Sequence, residues 1–265
     1  MFRVLRIFFS PTGGTRRITA AVSDAFVGDE TEVTDLDLTY PRPGFGQLYV
    51  EADLALIGVP VYYGRVAQTA AERFSFIRCR EMPAVLIACY GNRAYEDSLL
   101  ELKEMAESCG FLPCAAAAFV AEHSFSDAQH PVARKRPDSE DIETAKTFGL
   151  RLREQLVEKP TSRNLILPGR KPFKPYPETL RIAPVSLDSS CGQCGVCIRA
   201  CPVGAIRFGH PPLTDPDRCI QCCACIKACP GQNRVWKDPW IDTMKQKLVA
   251  NCLERNEPEF FMNTR

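Results

Sequence analysis

Two cysteine runs near the C-terminus constrain this chain more than any other feature. They read Cys191-Gly-Gln-Cys194-Gly-Val-Cys197-Ile-Arg-Ala-Cys201-Pro202 and Cys219-Ile-Gln-Cys222-Cys-Ala-Cys225-Ile-Lys-Ala-Cys229-Pro230, and both spell C-x2-C-x2-C-x3-C-P. Three cysteines at this spacing can wrap their thiolates around one face of a cubane. The fourth, sent in a new direction by the proline after it, reaches the neighbouring cluster. Two runs therefore imply two [4Fe-4S] clusters with crossed ligation. Cys191, Cys194, Cys197 and Cys229 would hold the first, and Cys219, Cys222, Cys225 and Cys201 the second. Structural zinc is the bland alternative, but zinc takes four ligands and has no use for a third evenly spaced cysteine and a repeated Cys-Pro. Cys223 would break the spacing as a ligand and is expected to pack as a small apolar neighbour.

The other cysteines, Cys79, Cys89, Cys109, Cys114 and Cys252, are scattered, which is not the pattern of a disulfide framework. Oxygen-sensitive clusters and unpaired thiols imply a reducing cytoplasm, such as that of an anaerobe. A length of 265 residues allows one large domain and one small one. The net charge of +1 creates no global field for nucleic acid. The apolar start Met1 to Phe9 lacks a signal-peptide cleavage pattern, and no window reaches the roughly 18 apolar residues of a membrane span.

Val4 to Phe9 is a short apolar run that ends in Ser10-Pro11-Thr12-Gly13-Gly14-Thr15-Arg16, after which Ile18, Ala21, Val22, Ala25 and Phe26 recur at helical spacing. A hydroxyl- and glycine-rich loop at a helix N-terminus is built to hold phosphate, because free amides and the positive end of the dipole face the anion. No lysine follows the glycines as the Walker loop requires, and the first and third glycines of the dinucleotide loop are missing. What remains is [ST]-x-T-G-x-T at Ser10, Thr12, Gly13 and Thr15, with an ordinary Ser/Thr helix cap as the plain alternative.

Thr31 to Leu36, Asp53 to Val59 and Ala84 to Cys89 read as further strands, with helices expected around Gln68 to Ile77 and through Leu99, Leu102, Ala106 and Cys109. Phe111 to Ala121 holds four consecutive alanines, yet its position calls for a fifth strand. A helix from Asp138 carries Ile142, Ala145, Phe148, Leu152 and Leu156 on one face. Such an alternation builds a parallel α/β sheet whose ligands sit beyond the carboxyl ends of the strands. The unusual loops there are the hydroxyl-rich first one, Pro60 to Val66 with Tyr62, Tyr63 and Gly64, and Tyr90 to Asp97 with Gly91, Asn92 and Arg93. His123 and His130 have no metal-ligand partner nearby and read as loop histidines.

Residues 158–186 hold six prolines and six Lys or Arg against two acids, a stiff basic linker that either packs across the first domain or docks an acidic partner. Trp240, Ile241, Met244 and Leu248 suggest an amphipathic helix, Cys252 is expected to be buried, and Phe260 and Phe261 are expected to fold back onto a domain surface.

In this order the features resemble the flavodoxin-ferredoxin fusion family. The phosphate loop and tyrosine loops resemble the FMN site of flavodoxins, and the cysteine runs the bacterial two-cluster ferredoxin. The resemblance implies an α/β flavodoxin-like, doubly wound, five-stranded parallel sheet of order 2-1-3-4-5, followed by a small α+β two-cluster ferredoxin domain. The expected boundaries are 1–157 for the FMN-binding domain, 158–186 for the linker, 187–236 for the ferredoxin domain, and 237–265 for a helix and tail. FMN would be held by Ser10, Thr12, Gly13, Gly14 and Thr15 at its phosphate, and by Tyr62, Tyr63, Gly64, Tyr90, Gly91, Asn92 and Arg93 around its ring.

The expected function is electron transfer between two [4Fe-4S] clusters and FMN, with ferredoxin-type or oxidoreductase redox partners. One alternative is a ferredoxin-dependent reductase acting on a small substrate, for which Tyr62, Tyr63, Arg93 and Glu122 are the acid-base candidates. The other is a ferredoxin-type module whose first domain has lost FMN.

Overall fold

The computed structural model describes residues 1–28, 30–41, 46–158, 165–178, 180–187 and 191–262. The first part alternates strand and helix: β1 (Phe2–Phe8), α1 (Gly14–Asp24), β2 (Thr31–Asp37), β3 (Leu48–Tyr49), β4 (Leu54–Tyr62), β5 (Arg65–Val66), α2 (Gln68–Phe74), β6 (Ile77–Arg78), β7 (Met82–Tyr90), α3 (Ser98–Ser108), β8 (Phe111–Val120) and α4 (Ser139–Glu158). The chain continues with β9 (Val185–Ser186), α5 (Val196–Arg199), β10 (Ile206–Arg207), β11 (Leu213–Thr214), α6 (Ala224–Lys227), β12 (Arg234–Val235), the 13-residue α7 (Pro239–Asn251) and β13 (Glu259–Met262).

Five long strands lie parallel in the order β2-β1-β4-β7-β8, the doubly wound arrangement of the flavodoxin type. Period-two alternation sends their side chains to two apolar layers. Leu54 and Leu56 of β4 join Ile18, Val22, Phe148 and Leu152 on the α1 and α4 side, while Ala55 and Ile57 join Phe74, Leu99 and Leu102 on the α2 and α3 side. The alanine run is split the same way, with Ala115 and Ala117 in one layer and Ala116 and Ala118 in the other. Helix propensity loses here because burial on both faces, against closely packed helices, favours small side chains in a strand.

Several boundaries differ from the sequence reading. The third long strand does not stop at Val59 but runs on to Tyr62 and turns back through β5, so Tyr63 and Gly64, both at positive φ (57° and 80°), form a two-residue hairpin turn. The helix after it ends at Phe74, and Ile77 belongs to the two-residue strand β6, paired with β3. The tail does more than cover a surface. β13 pairs antiparallel with β8 as a sixth strand, and Phe260 stacks on Phe148 with ring centroids 4.7 Å apart. β13 thus adds an antiparallel edge strand beside β8 to the parallel sheet.

The described part of the linker packs across the first domain. Leu165 and Leu167 are buried in the α2 and α3 layer. Asp97 accepts from the amides of Arg170 and Lys174 at 3.0 and 2.9 Å. Arg65, paired in two hydrogen bonds with Glu101 (2.8 and 2.7 Å), lies under the Tyr176 ring at 4.5 Å. Lys174 pairs with Glu96 at 2.9 Å and Lys171 with Glu104, so part of the basic charge is met within the chain itself. Residues 159–164, 179, 188–190 and 263–265, which carry parts of the expected linker, ferredoxin start and tail, lie outside the described residues.

The stretch from β9 to β12 is a small α+β unit of two two-stranded sheets, β10 with β11 and β9 with β12. Its halves repeat in backbone as well as sequence. Gln193 and Gln221 have φ of 52° and 55°, and the residues before α5 and α6, Gly195 and Cys223, have φ of 70° and 61°.

Candidate cofactor site

At the carboxyl ends of β1, β4 and β7 the loops enclose a cavity of about 370 Å³. On one side stands the loop before α1. Gly13 takes φ of 86° and turns the chain into the helix, leaving the amides of Thr12, Gly14 and Thr15 without a hydrogen-bond partner among the described residues. These orphan donors sit where the helix dipole is positive, which suits an anion. Ser10 has partly taken the cap role, since its Oγ accepts the amide of Arg16 at 3.0 Å. Thr15 is buried beside the Cys89 thiol, which burial pushes up to about 12. The helix is seated this deeply because β4 has Gly58 beneath it, where a Cβ would stand 2.3 Å from Thr19 Oγ1 and 2.9 Å from Thr15 Cγ2.

Tyr62, Tyr63 and Tyr90 all line the cavity, as do Gly91 and Arg93. Burial, with Cys222 and Cys223 nearby, pushes the Tyr62 phenol well above its ordinary value. Burial likewise takes Tyr90 to about 12. These rings are neutral apolar faces with hydroxyl handles at any ordinary pH. Gly91 lets the backbone pass His123, where a Cβ would come within 2.4 Å of its Cδ2.

Two expected site residues serve other ends. Asn92 turns away from the cavity: its Nδ2 donates to the carbonyls of Cys252 and Glu254 at 2.8 and 2.7 Å, and its Oδ1 accepts from the Asn256 amide at 3.1 Å. It pins the tail that leads into β13. Gly64 belongs to the hairpin turn, packed against Glu96 and outside the cavity lining. Gly13 shapes the first loop without lining the cavity.

The cavity is roofed by residues for which no site role was read from sequence. Ile220 and Gln221 come from the second cysteine run, and Trp240, Met244 and Leu248 come from α7. Tyr63 donates to Gln221 Oε1 at 2.9 Å. Asp238 caps α7 by accepting the Trp240 amide at 2.9 Å, and Lys245 pairs with Asp127 at 2.6 Å, which holds the helix over the loop after β8. His123, read as a plain loop residue, also lines the cavity, and burial with Arg93 and Lys227 nearby lowers it to about 4. The i, i+4, i+8 spacing of Trp240, Met244 and Leu248 was visible as an amphipathic stripe, but nothing in it names the surface it covers. Ile220 and Gln221 carry no signal beyond their place between two cysteines.

The eight cysteines gather in two groups. Cys191, Cys194, Cys197 and Cys229 line one cavity, and Cys201, Cys219, Cys222 and Cys225 line another with Cys223. The fourth cysteine of each run therefore stands with the first three of the other. Cys201 and Cys229 each accept a backbone N–H, from Ala205 and Asn233, at 3.2 Å. Burial pushes the thiols of Cys222 well up, Cys225 to about 11 and Cys223 to about 12. Cys223 is 2% exposed and occupies the left-handed position that Gly195 fills in the first run.

Residues 187–207 match the family described as a 4Fe-4S binding domain. No curated protein matches the chain. Among solved structures the chain is similar to a flavodoxin from the domain Archaea, at 11% identity and a TM-score of 0.39, over 59% of this chain and 99% of that one. It is similar to flavodoxin 1 of Bacillus cereus at 15% identity and a TM-score of 0.41, over 59% and 98%. An NADH:FMN oxidoreductase in its apo form matches at 12% identity and a TM-score of 0.42, over 62% and 94%. The fold assignment rests on the strand order itself. The chain joins a flavodoxin-like parallel sheet to a 4Fe-4S binding domain.

Proposed function

We propose that this protein is an electron-transfer iron-sulfur flavoprotein that passes electrons between two [4Fe-4S] clusters and FMN. The observation that carries the reading is the shared wall. Ile220 and Gln221, between Cys219 and Cys222 of the second cysteine run, line the same cavity as the phosphate-type loop and Tyr62, Tyr63 and Tyr90. The donor sets suit the groups. Four cysteines line the first cysteine cavity, four with Cys223 line the second, and orphan amides with hydroxyls face the end of the flavin cavity where a phosphate would sit.

Flavin accepts one or two electrons and clusters one at a time, so a fixed junction between them lets single electrons be collected. The chain's own part is to bind, orient and exclude water. Tyr62, Tyr63 and Tyr90 offer apolar faces, Arg93 and the Gly91 backbone offer donors, and Trp240, Met244 and Leu248 close the outer side. The roof built from the ferredoxin unit and α7 puts residues of the second cysteine run directly against this cavity, which favours an electron carrier as the first reading. Quantification of iron, sulfide and flavin in anaerobically purified protein tests the reading. About eight irons, eight sulfides and one FMN per chain are expected. About four irons, or none, would remove the two-cluster claim, and absence of flavin after incubation with FMN would leave a ferredoxin-type module.

A further inference from the structure

Among the described residues Arg234 is the largest fully buried side chain, 2% exposed, in β12 opposite Ser186. Its Nη1 donates to Ser186 Oγ at 2.9 Å and reaches the Pro212 carbonyl at 3.3 Å, and its Nη2 donates to the Pro184 carbonyl at 2.7 Å and to Thr214 Oγ1. Every one of these acceptors is neutral. Among the described residues no carboxylate pairs with Arg234, and its buried Nε has no hydrogen-bond partner. A buried guanidinium always keeps its charge, so an uncompensated one is a heavy cost to folding. The compensation must come from something the chain carries elsewhere.

The surroundings name the candidate. Arg234 lines the cavity of Cys191, Cys194, Cys197 and Cys229, and its guanidinium also stands beside Cys225 of the other group. A cubane with four thiolate ligands is a net anion, and it gains one further negative charge when one electron enters, with no proton taken up and no bond broken. We propose that Arg234 is the fixed counter-cation shared by both iron-sulfur clusters, and that it raises the reduction potential of each by stabilising the more negative reduced form. This rests on the two-cluster reading. It concerns a positioning and tuning residue and assigns it no ligand bond. A cation held between two sites in a low-dielectric interior acts on both, and salt does not screen it as it screens surface charge.

The test compares Arg234→Met and Arg234→Lys with the native chain, by iron and sulfide content and by EPR-monitored redox titration. With both clusters loaded in Arg234→Met, each cluster's reduction equilibrium is expected to weaken about tenfold or more, a fall of about 59 mV per one-electron couple, while Arg234→Lys stays near native. The flavin midpoint serves as internal control and is expected to move least. If Arg234→Met fails to retain iron, retention by Arg234→Lys supports the charge role. Unmoved midpoints in a loaded Arg234→Met overturn the proposal, as does equal loss of iron from both variants, which would make the residue a matter of shape alone. An iron content of about four in the native protein would instead refute the two-cluster reading, and the surviving cluster's shift would still judge Arg234.

Discussion

The Tyr63 hydroxyl donates to Gln221 Oε1 at 2.9 Å, a bond between residues 158 positions apart in the chain. Each partner sits at positive φ, Tyr63 in the hairpin turn after β4 and Gln221 between two cysteines of the second run. Two tight backbone devices thus meet where the two parts of the molecule join. A neutral hydrogen bond of this kind contributes about 0.5–1.5 kcal/mol, so a double-mutant cycle of Tyr63→Phe and Gln221→Ala is expected to give a coupling energy of about 1 kcal/mol in urea unfolding. Strict additivity would mean that the two parts do not dock in this way in solution.

Cluster ligation is expected to be crossed. Cys201→Ala should damage the cluster of the second run and Cys229→Ala that of the first, while Cys223→Ala and Cys252→Ala keep the native iron content. EPR or Mössbauer spectra in which each substitution destroys the cluster of its own run would contradict the grouping of these side chains.

The loop before α1 is expected to hold the FMN phosphate with the amides of Thr12, Gly14 and Thr15 and the Thr12 hydroxyl. Thr12→Val removes one hydrogen bond to a charged group, about 1.5–3 kcal/mol, or roughly 10- to 150-fold in FMN affinity, and leaves iron unchanged. Titration of the deflavinated protein measures it. Unchanged affinity would reduce the loop to a helix cap.

His123 couples stability to pH. Burial lowers its pKa to about 4 in the folded protein, against an ordinary value of about 6.5 when unfolded. The unfolded chain therefore binds the proton first, and stability falls as pH drops from about 6.5 to about 4, by up to about 3 kcal/mol. Above that window His123 is neutral in both states and adds nothing to the slope. Urea midpoints of the native chain and His123→Gln at pH 7.5 and 5 are expected to differ in this slope, the variant being flatter. Parallel slopes would place His123 in water.

The parallel sheet and the cysteine groups were legible because each follows from a short-range rule: strand-helix alternation for one, ligand spacing for the other. Asn92 could not be assigned from sequence because its residue type suits a flavin donor and a loop anchor equally, and its hydrogen bonds to the segment from Cys252 to Asn256 come only with the tertiary path. The sixth strand was hidden because Phe260 and Phe261 lie in a four-residue segment whose partner, β8, is some 140 residues earlier. Arg234 gave no sign because an isolated arginine next to a valine reads as surface, and the neutral oxygens that bury it come from Pro184, Ser186, Pro212 and Thr214.

With a low-potential donor, electrons are expected to reach the flavin through the second cluster, whose Ile220 and Gln221 line the flavin cavity. Truncation after residue 158 would not test it cleanly, because β13 and the buried Leu165 and Leu167 belong to the first sheet and its core. Cys225→Ala is the better probe, since it is expected to remove the second cluster from a cavity that does not include the flavin loops. The decisive measurement is the anaerobic stopped-flow rate of FMN reduction by a limiting low-potential donor, in the native protein and in FMN-loaded Cys225→Ala. The account predicts a rate at least about tenfold lower in the variant, corresponding to about 1.4 kcal/mol or more in barrier. Equal rates would contradict it, because the flavin would then be taking its electrons directly from the donor.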